Sequence, residues 1–214
     1  MKPKRIFIIR HGESHGNVNN KIYETVPDWK IELTDKGLEH SRSAGRLLFD
    51  TYKVSSNAAV YVSPFKRTIQ TWEGIKSQST SDNFNVKQDP RLREQEWGHL
   101  RLAEETHEID KERQEYGTFF YRLPDGESGA DVYDRATGFL DTLYRDFLKP
   151  GFPEDVVIVT HGYTLRVLLM RWFHWTVEGF HKLKNPPNCF IAEMRLNKND
   201  KFELITQMEI DINR

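Results

Sequence analysis

Only one cysteine, Cys189, occurs in 214 residues. A framework of internal disulfides is therefore excluded, and the composition suits a reducing compartment. Charge of one sign is also missing, since 31 Lys and Arg meet 32 Asp and Glu for a formal net charge of -1. Nothing in that balance favours nucleic acid or an anionic membrane as a partner, so any anion selectivity must be local. Long apolar runs are absent too. The nearest approach, Val167-Leu168-Leu169-Met170, is bracketed by Arg166 and Arg171, far short of the roughly 18 apolar residues of a membrane span. The basic start Met1 to Arg5 resembles the head of a secretion signal, but the apolar run behind it ends in charge after Ile9. No repeats occur at solenoid periods. The expectation is a cytoplasmic protein, residues 1–214 forming one globular domain.

What the chain does have is a repeated pattern of buried strand, polar motif and helix. Ile6-Phe7-Ile8-Ile9 reads as a strand covered on both faces. It stops at Arg10-His11-Gly12. Neighbouring strand residues face opposite ways, so for Arg10 and His11 to share a site the chain must turn there, which Gly12 permits. Ala58 to Val62 is a second such run and ends in Ser63-Pro64-Phe65-Lys66-Arg67, where Ser63 before proline reads as a helix start. Val156 to Val159 is the third, ending in Thr160-His161-Gly162. Thr34 reads as the cap of a helix through Leu38, Ala44, Leu47 and Leu48, and Ser128 or Asp131 as the start of one bearing Val132, Ala136, Phe139, Leu140 and Leu143. Phe84 to Gln88, Cys189 to Met194 and Lys201 to Met208 read as further strands. The last two lie near Phe190 and are candidates for edge pairing between two copies, with monomer and dimer both open. Lys21 to Glu32 reads as a surface loop. Residues 95–128, with a charged helix from Ala103 to Tyr116, read as an excursion that is either a cap over a site or a plain surface insertion.

In a doubly wound sheet the three motifs meet at one edge. That places two histidines and two arginines beside helix N-termini, a pocket suited to a tetrahedral dianion. Taken singly, a histidine is usually a packed or surface residue, and His15, His40, His99, His107, His174 and His181 are read so. His11 and His161 differ because both occur as strand, His-Gly, helix. Adjacent arginines and the lack of carboxylate or cysteine ligands at recognised spacings argue against a metal site. No cofactor is implied.

These residues carry a family resemblance. Arg10-His11-Gly12-Glu13-Ser14 with Asn17 resembles the signature of the histidine phosphatase superfamily, the phosphoglycerate mutase-like proteins. The match continues through Leu33-Thr34 with Gly37, Ser63-Pro64 with Arg67 and Gln70-Thr71, Leu92 with Glu94 and Gly98, Gly126-Glu127-Ser128, and Thr160-His161-Gly162. Phe119-Phe120-Tyr121-Arg122 and the aromatic run at Trp172, Phe173 and Trp175 are similar to the plant and fungal members. The resemblance implies an α/β fold, a three-layer α/β/α sandwich with a mostly parallel central sheet and a helical excursion near the site. It implies His11 as a nucleophile that becomes phosphohistidine. Arg10, Arg67 and His161 would hold phosphoryl oxygens, with Asn17 completing the phosphate site and Gly12 and Gly162 contributing close backbone approach to it. Glu94 would be the proton donor; from the residues alone Glu96 competes for that role. His11 must be neutral, with its other ring nitrogen donating to a backbone carbonyl. Glu94 must be protonated to donate, so a raised pKa is expected.

The resemblance also separates activities. In mutases a short Asn-to-Leu loop with a Gly-Trp pair and a paired-arginine motif are expected. Here the loop from Asn17 to Leu33 is longer, Asp28 precedes Trp29, and no Arg-Arg pair occurs. Pro124 to Ser128 resembles the phosphatase branch. The expected activity is hydrolysis of a small phosphorylated metabolite, with a mutase or a non-catalytic phospho-ligand binder as alternatives. Lys21, Tyr23, Trp29, Tyr121 and Arg122 are candidates for the pocket rim.

Overall fold

A computed structural model describes residues 2–98 and 106–211. His99 and the first turn predicted for the charged helix, 103–105, lie outside the described residues. The sheet has six strands, β1 (Arg5–Arg10), β2 (Ala59–Val62), β3 (Asn85–Gln88), β4 (Asp155–Thr160), β5 (Ile191–Leu196) and β6 (Phe202–Leu204), in the order β3-β2-β4-β1-β5-β6. The first four in that order run parallel; β5 and β6 are antiparallel to their neighbours.

Alternation along the strands builds the two cores. Ile6 and Ile8 join Val156 and Ile158 under α5 (Gly129–Phe147) and α6 (Gly162–Phe173). Phe7 and Ile9 join Val157 and Val159 under α2 (Asp35–Arg46) and α3 (Lys66–Lys76). Every one of these strand side chains is buried, each contributing about 2–3 kcal/mol of hydrophobic stabilisation as an upper figure. Buried on both faces, the central strands need helix layers on both sides. The result is the three-layer α/β/α sandwich. Among the described residues no helix is long and apolar enough to cross a membrane.

Capping logic holds at two helices and fails at a third. Thr34 Oγ1 accepts from Gly37 N at 3.0 Å, and Ser128 Oγ accepts from Asp131 N at 3.1 Å. The Ser63 prediction is overturned. The helix starts at Lys66 behind Phe65, and the Ser63 hydroxyl is bonded to His161 instead. The loop 21–32 holds two 3-10 turns, Asn20–Glu24 and Asp28–Lys30. The strand expected over Lys201 to Met208 shortens to three residues, with one more rung from Ile205 N to Glu193 O. Nor is the strand after Phe190 an edge, since β5 is paired on both sides. The base of the excursion is anchored in the body. Phe119 and Leu123 are buried, and Glu127 N donates to Glu96 O.

Candidate active site

Strand register brings the motifs together. Arg10 pairs with Thr160 and Val62 with Val159. His11 N donates to Thr160 O at 2.9 Å, and Ser63 N donates to Val159 O at 3.0 Å. All three motifs therefore leave the sheet at one level, at the carboxyl edge of the parallel strands.

His11 is buried, and its ring lies 5.2 Å from that of His161 between centroids. Nδ1 is 2.7 Å from Gly12 O. A carbonyl can only accept, so Nδ1 carries the hydrogen and Nε2 keeps its lone pair. Burial, then the charges of Arg67 and Arg10, push the His11 pKa well below its ordinary value. His161 is lowered in the same way, first by burial and then by Arg67. Its Nε2 lies 2.8 Å from Ser63 Oγ, and its buried Nδ1 has no protein partner.

Gly12 serves by close approach rather than by turning. It lacks a positive φ, but a Cβ there would stand 2.5 Å from Gly37 O. Its N–H donates to Thr71 Oγ1 at 3.0 Å. At Gly162 a Cβ would meet Asn185 Oδ1 at 2.2 Å. Asn17 orients the His11 loop: its Oδ1 accepts from Ser14 N at 3.0 Å and from Asn188 Nδ2 at 3.1 Å, while Asn188 Nδ2 also reaches His11 O at 3.2 Å.

The two arginines are fixed differently. Arg10 donates through Nη1 to Pro186 O, and its buried Nε has no partner among the described residues. Arg67, buried at the start of α3, sits over the Phe65 ring at 4.9 Å and is clamped by Asp28. Its Nη1 donates to Asp28 Oδ1 at 2.7 Å and Asp28 O at 2.8 Å, and Nη2 lies 3.4 Å from Oδ2.

Glu94 meets the N-terminus of α6. Oε1 accepts from Gln95 N, Thr164 N and Thr164 Oγ1, each at 3.1 Å; among the described residues Oε2 accepts only from Tyr163 N, also at 3.1 Å. Oε2 is thus the oxygen with room for a proton. Glu96 instead accepts from Gly98 N at 3.2 Å in the adjoining turn. The Glu94 segment is buttressed by Glu127, whose carboxylate takes Arg93, Arg135 Nε at 2.9 Å and Glu96 N at 3.0 Å, while Arg135 also donates to Glu94 O at 3.1 Å.

Of the proposed rim, only Tyr23 joins the cluster. Its phenol feels Arg67, Asp28, Glu94 and Arg10, and burial raises its pKa. Lys21 and Trp29 are exposed, with Lys30 over the Trp29 ring. Tyr121 donates to Glu112 at 2.8 Å, and Arg122 pairs with Asp131 at 2.5 Å. Sequence reasoning missed Ser63 as a histidine partner, Asp28, and the 185–188 segment. Among the described residues no group of three His, Cys, Asp or Glu could hold a metal ion.

Comparison with known proteins places the chain in a family. Residues 6–207 match the model of the histidine phosphatase superfamily (branch 1). The phosphoglycerate mutase-like protein AT74 of Arabidopsis thaliana is 42% identical over 94% of this chain and 68% of its own. The broad-range acid phosphatase DET1 of Saccharomyces cerevisiae is 29% identical over 92% of this chain and 87% of its own. A mycobacterial glucosyl-3-phosphoglycerate phosphatase shares the fold, with a TM-score of 0.75 at 19% identity, covering 96% of this chain and 99% of that one. The chain belongs to the histidine phosphatase superfamily.

Proposed function

We propose that this protein is a metal-independent phosphomonoester hydrolase that works through a phosphohistidine at His11 on a small phosphorylated metabolite. The observation that carries the proposal is the setting of His11: Nδ1 lies 2.7 Å from Gly12 O, which leaves the Nε2 lone pair for attack, and burial with the charges of Arg67 and Arg10 lowers the ring's pKa. In the first step Nε2 attacks phosphorus as the ester P–O bond breaks, and Glu94 Oε2 gives its proton to the leaving oxygen. In the second, water attacks the phosphohistidine, Glu94 takes the water's proton, and inorganic phosphate leaves His11 neutral again. Arg10, Arg67 and His161 hold the equatorial oxygens, where charge accumulates. With Ser63 donating to Nε2 of His161, its Nδ1–H becomes a donor for one of them. A relative named as a broad-range acid phosphatase supports hydrolysis. A mutase needs room for a second anion beside the phosphoryl group, and the Asp28 carboxylate on Arg67 disfavours that.

The test is hydrolysis of an aryl phosphate in excess EDTA, with acid-labile, base-stable phosphate trapped on the protein during turnover. His11→Ala is expected to abolish both turnover and trapped label. Wild-type turnover by that variant, or a requirement for a divalent cation, refutes the proposal.

A further inference from the structure

Asp28 is an internal anion inside an anion pocket. Its side chain is 13% exposed and that of Arg67 4%. It spends two of its acceptors and its own backbone carbonyl on the one guanidinium. A surface aspartate gains little from such a pair, but a buried one changes the field that a ligand meets. It reaches the site through Arg67, whose guanidinium lies 4.9 Å over the Phe65 ring, and that ring is 5.1 Å from the ring of His161. The two histidines add no compensating positive charge, since both are held neutral. Lys36 is paired with Glu13 and Lys66 with Glu32. The positive charge that Arg67 offers a phosphoryl group is therefore partly offset by a carboxylate bonded directly to the same guanidinium, and a second anionic group beside the phosphate would meet that negative charge.

We infer that Asp28 is a specificity-determining residue that selects phosphomonoesters with an uncharged group beside the phosphate and rejects those carrying a neighbouring carboxylate or second phosphate. This rests on the phosphomonoesterase reading. It adds a repulsive element, the device by which a site discriminates without strengthening its preferred contacts.

The test uses two phosphonates of matched length that cannot be hydrolysed, propylphosphonate and 3-phosphonopropionate, titrated calorimetrically into intact wild type, Asp28→Asn and Asp28→Glu. Wild type is expected to prefer the uncharged ligand by about tenfold in Kd. Asp28→Asn should bring the ratio near one, and Asp28→Glu, which keeps the charge, should retain the preference. A melting curve for each variant confirms folding. Equal preference in wild type and Asp28→Asn, or no preference in wild type, overturns the inference. So does loss of binding to both ligands in a folded Asp28→Asn, which would mark Asp28 as a positioning residue for Arg67. The hydrolysis reading fails separately, when His11→Ala keeps aryl phosphatase activity.

Discussion

Acidification should destabilise the protein through the two site histidines. His11 and His161 are buried, and burial together with Arg67 lowers both pKa values. In the unfolded chain each histidine takes a proton near its ordinary value of about 6.5. In the folded protein neither does so until much lower pH. Below that ordinary value the unfolded state therefore binds more protons, and folding stability falls as pH falls. The stability is complete above about pH 7 and drains away from there down to the folded-state values. Between pH 7.5 and pH 5.5 each histidine should cost a little over 1 kcal/mol, or about 3 kcal/mol for the pair. For a chain of this size that is a fall in Tm of roughly 10 °C. The assay is urea denaturation at both pH values in phosphate-free buffer, because phosphate would stabilise the folded form by binding. The His11→Asn/His161→Asn double variant removes the effect and leaves the other six histidines as a common background. The acid loss in wild type should exceed that of the double variant by the stated amount. An equal loss in the two proteins would refute the claim that the site holds these rings neutral.

Two further substitutions probe the support of the site. Ser63→Ala removes the hydroxyl bonded to His161 Nε2, which should lower kcat/KM about tenfold while costing only 1–2 kcal/mol in stability, measured by steady-state kinetics and urea titration. Unchanged kinetics would mean that Ser63 does not orient His161. Glu127→Ala leaves Arg135 without its carboxylate beneath the Glu94 segment; a loss of about 3–5 kcal/mol is expected by denaturant unfolding, and a loss under 1 kcal/mol would show the network to be dispensable.

The parts of the site carried by strand ends were legible in the sequence. Arg10, His11, His161 and Arg67 each follow a buried apolar run by a few residues, and the parallel sheet does the rest. Asp28 was not, because its loop has no period and its partner is 39 residues away. Asn188 and Pro186 were not read as site residues. Their bonds to His11 and Arg10 span 177 and 176 positions, beyond any local rule. Ser63 was misread for a more general reason. A serine before proline satisfies the capping pattern, but its hydroxyl can serve one geometry at a time, and a buried imidazole claimed it. Gly12 was expected to permit a turn and a close backbone approach, and its proximity to Gly37 is the close approach.

The antiparallel placement of β5 has a consequence for assembly. A strand running against its neighbours begins where they end, so the segment just before β5 arrives at the same edge as the motif after β1. Arg10 is gripped by Pro186, and His11 by Cys189 N and Asn188. The motif after β1 thus gets its final shape from residues about 176 positions later in the chain. Contacts of such sequence separation form late and slowly in a folding chain. Phosphate affinity should accordingly appear only when β5 has docked, which makes ligand binding a reporter of the last stage of folding.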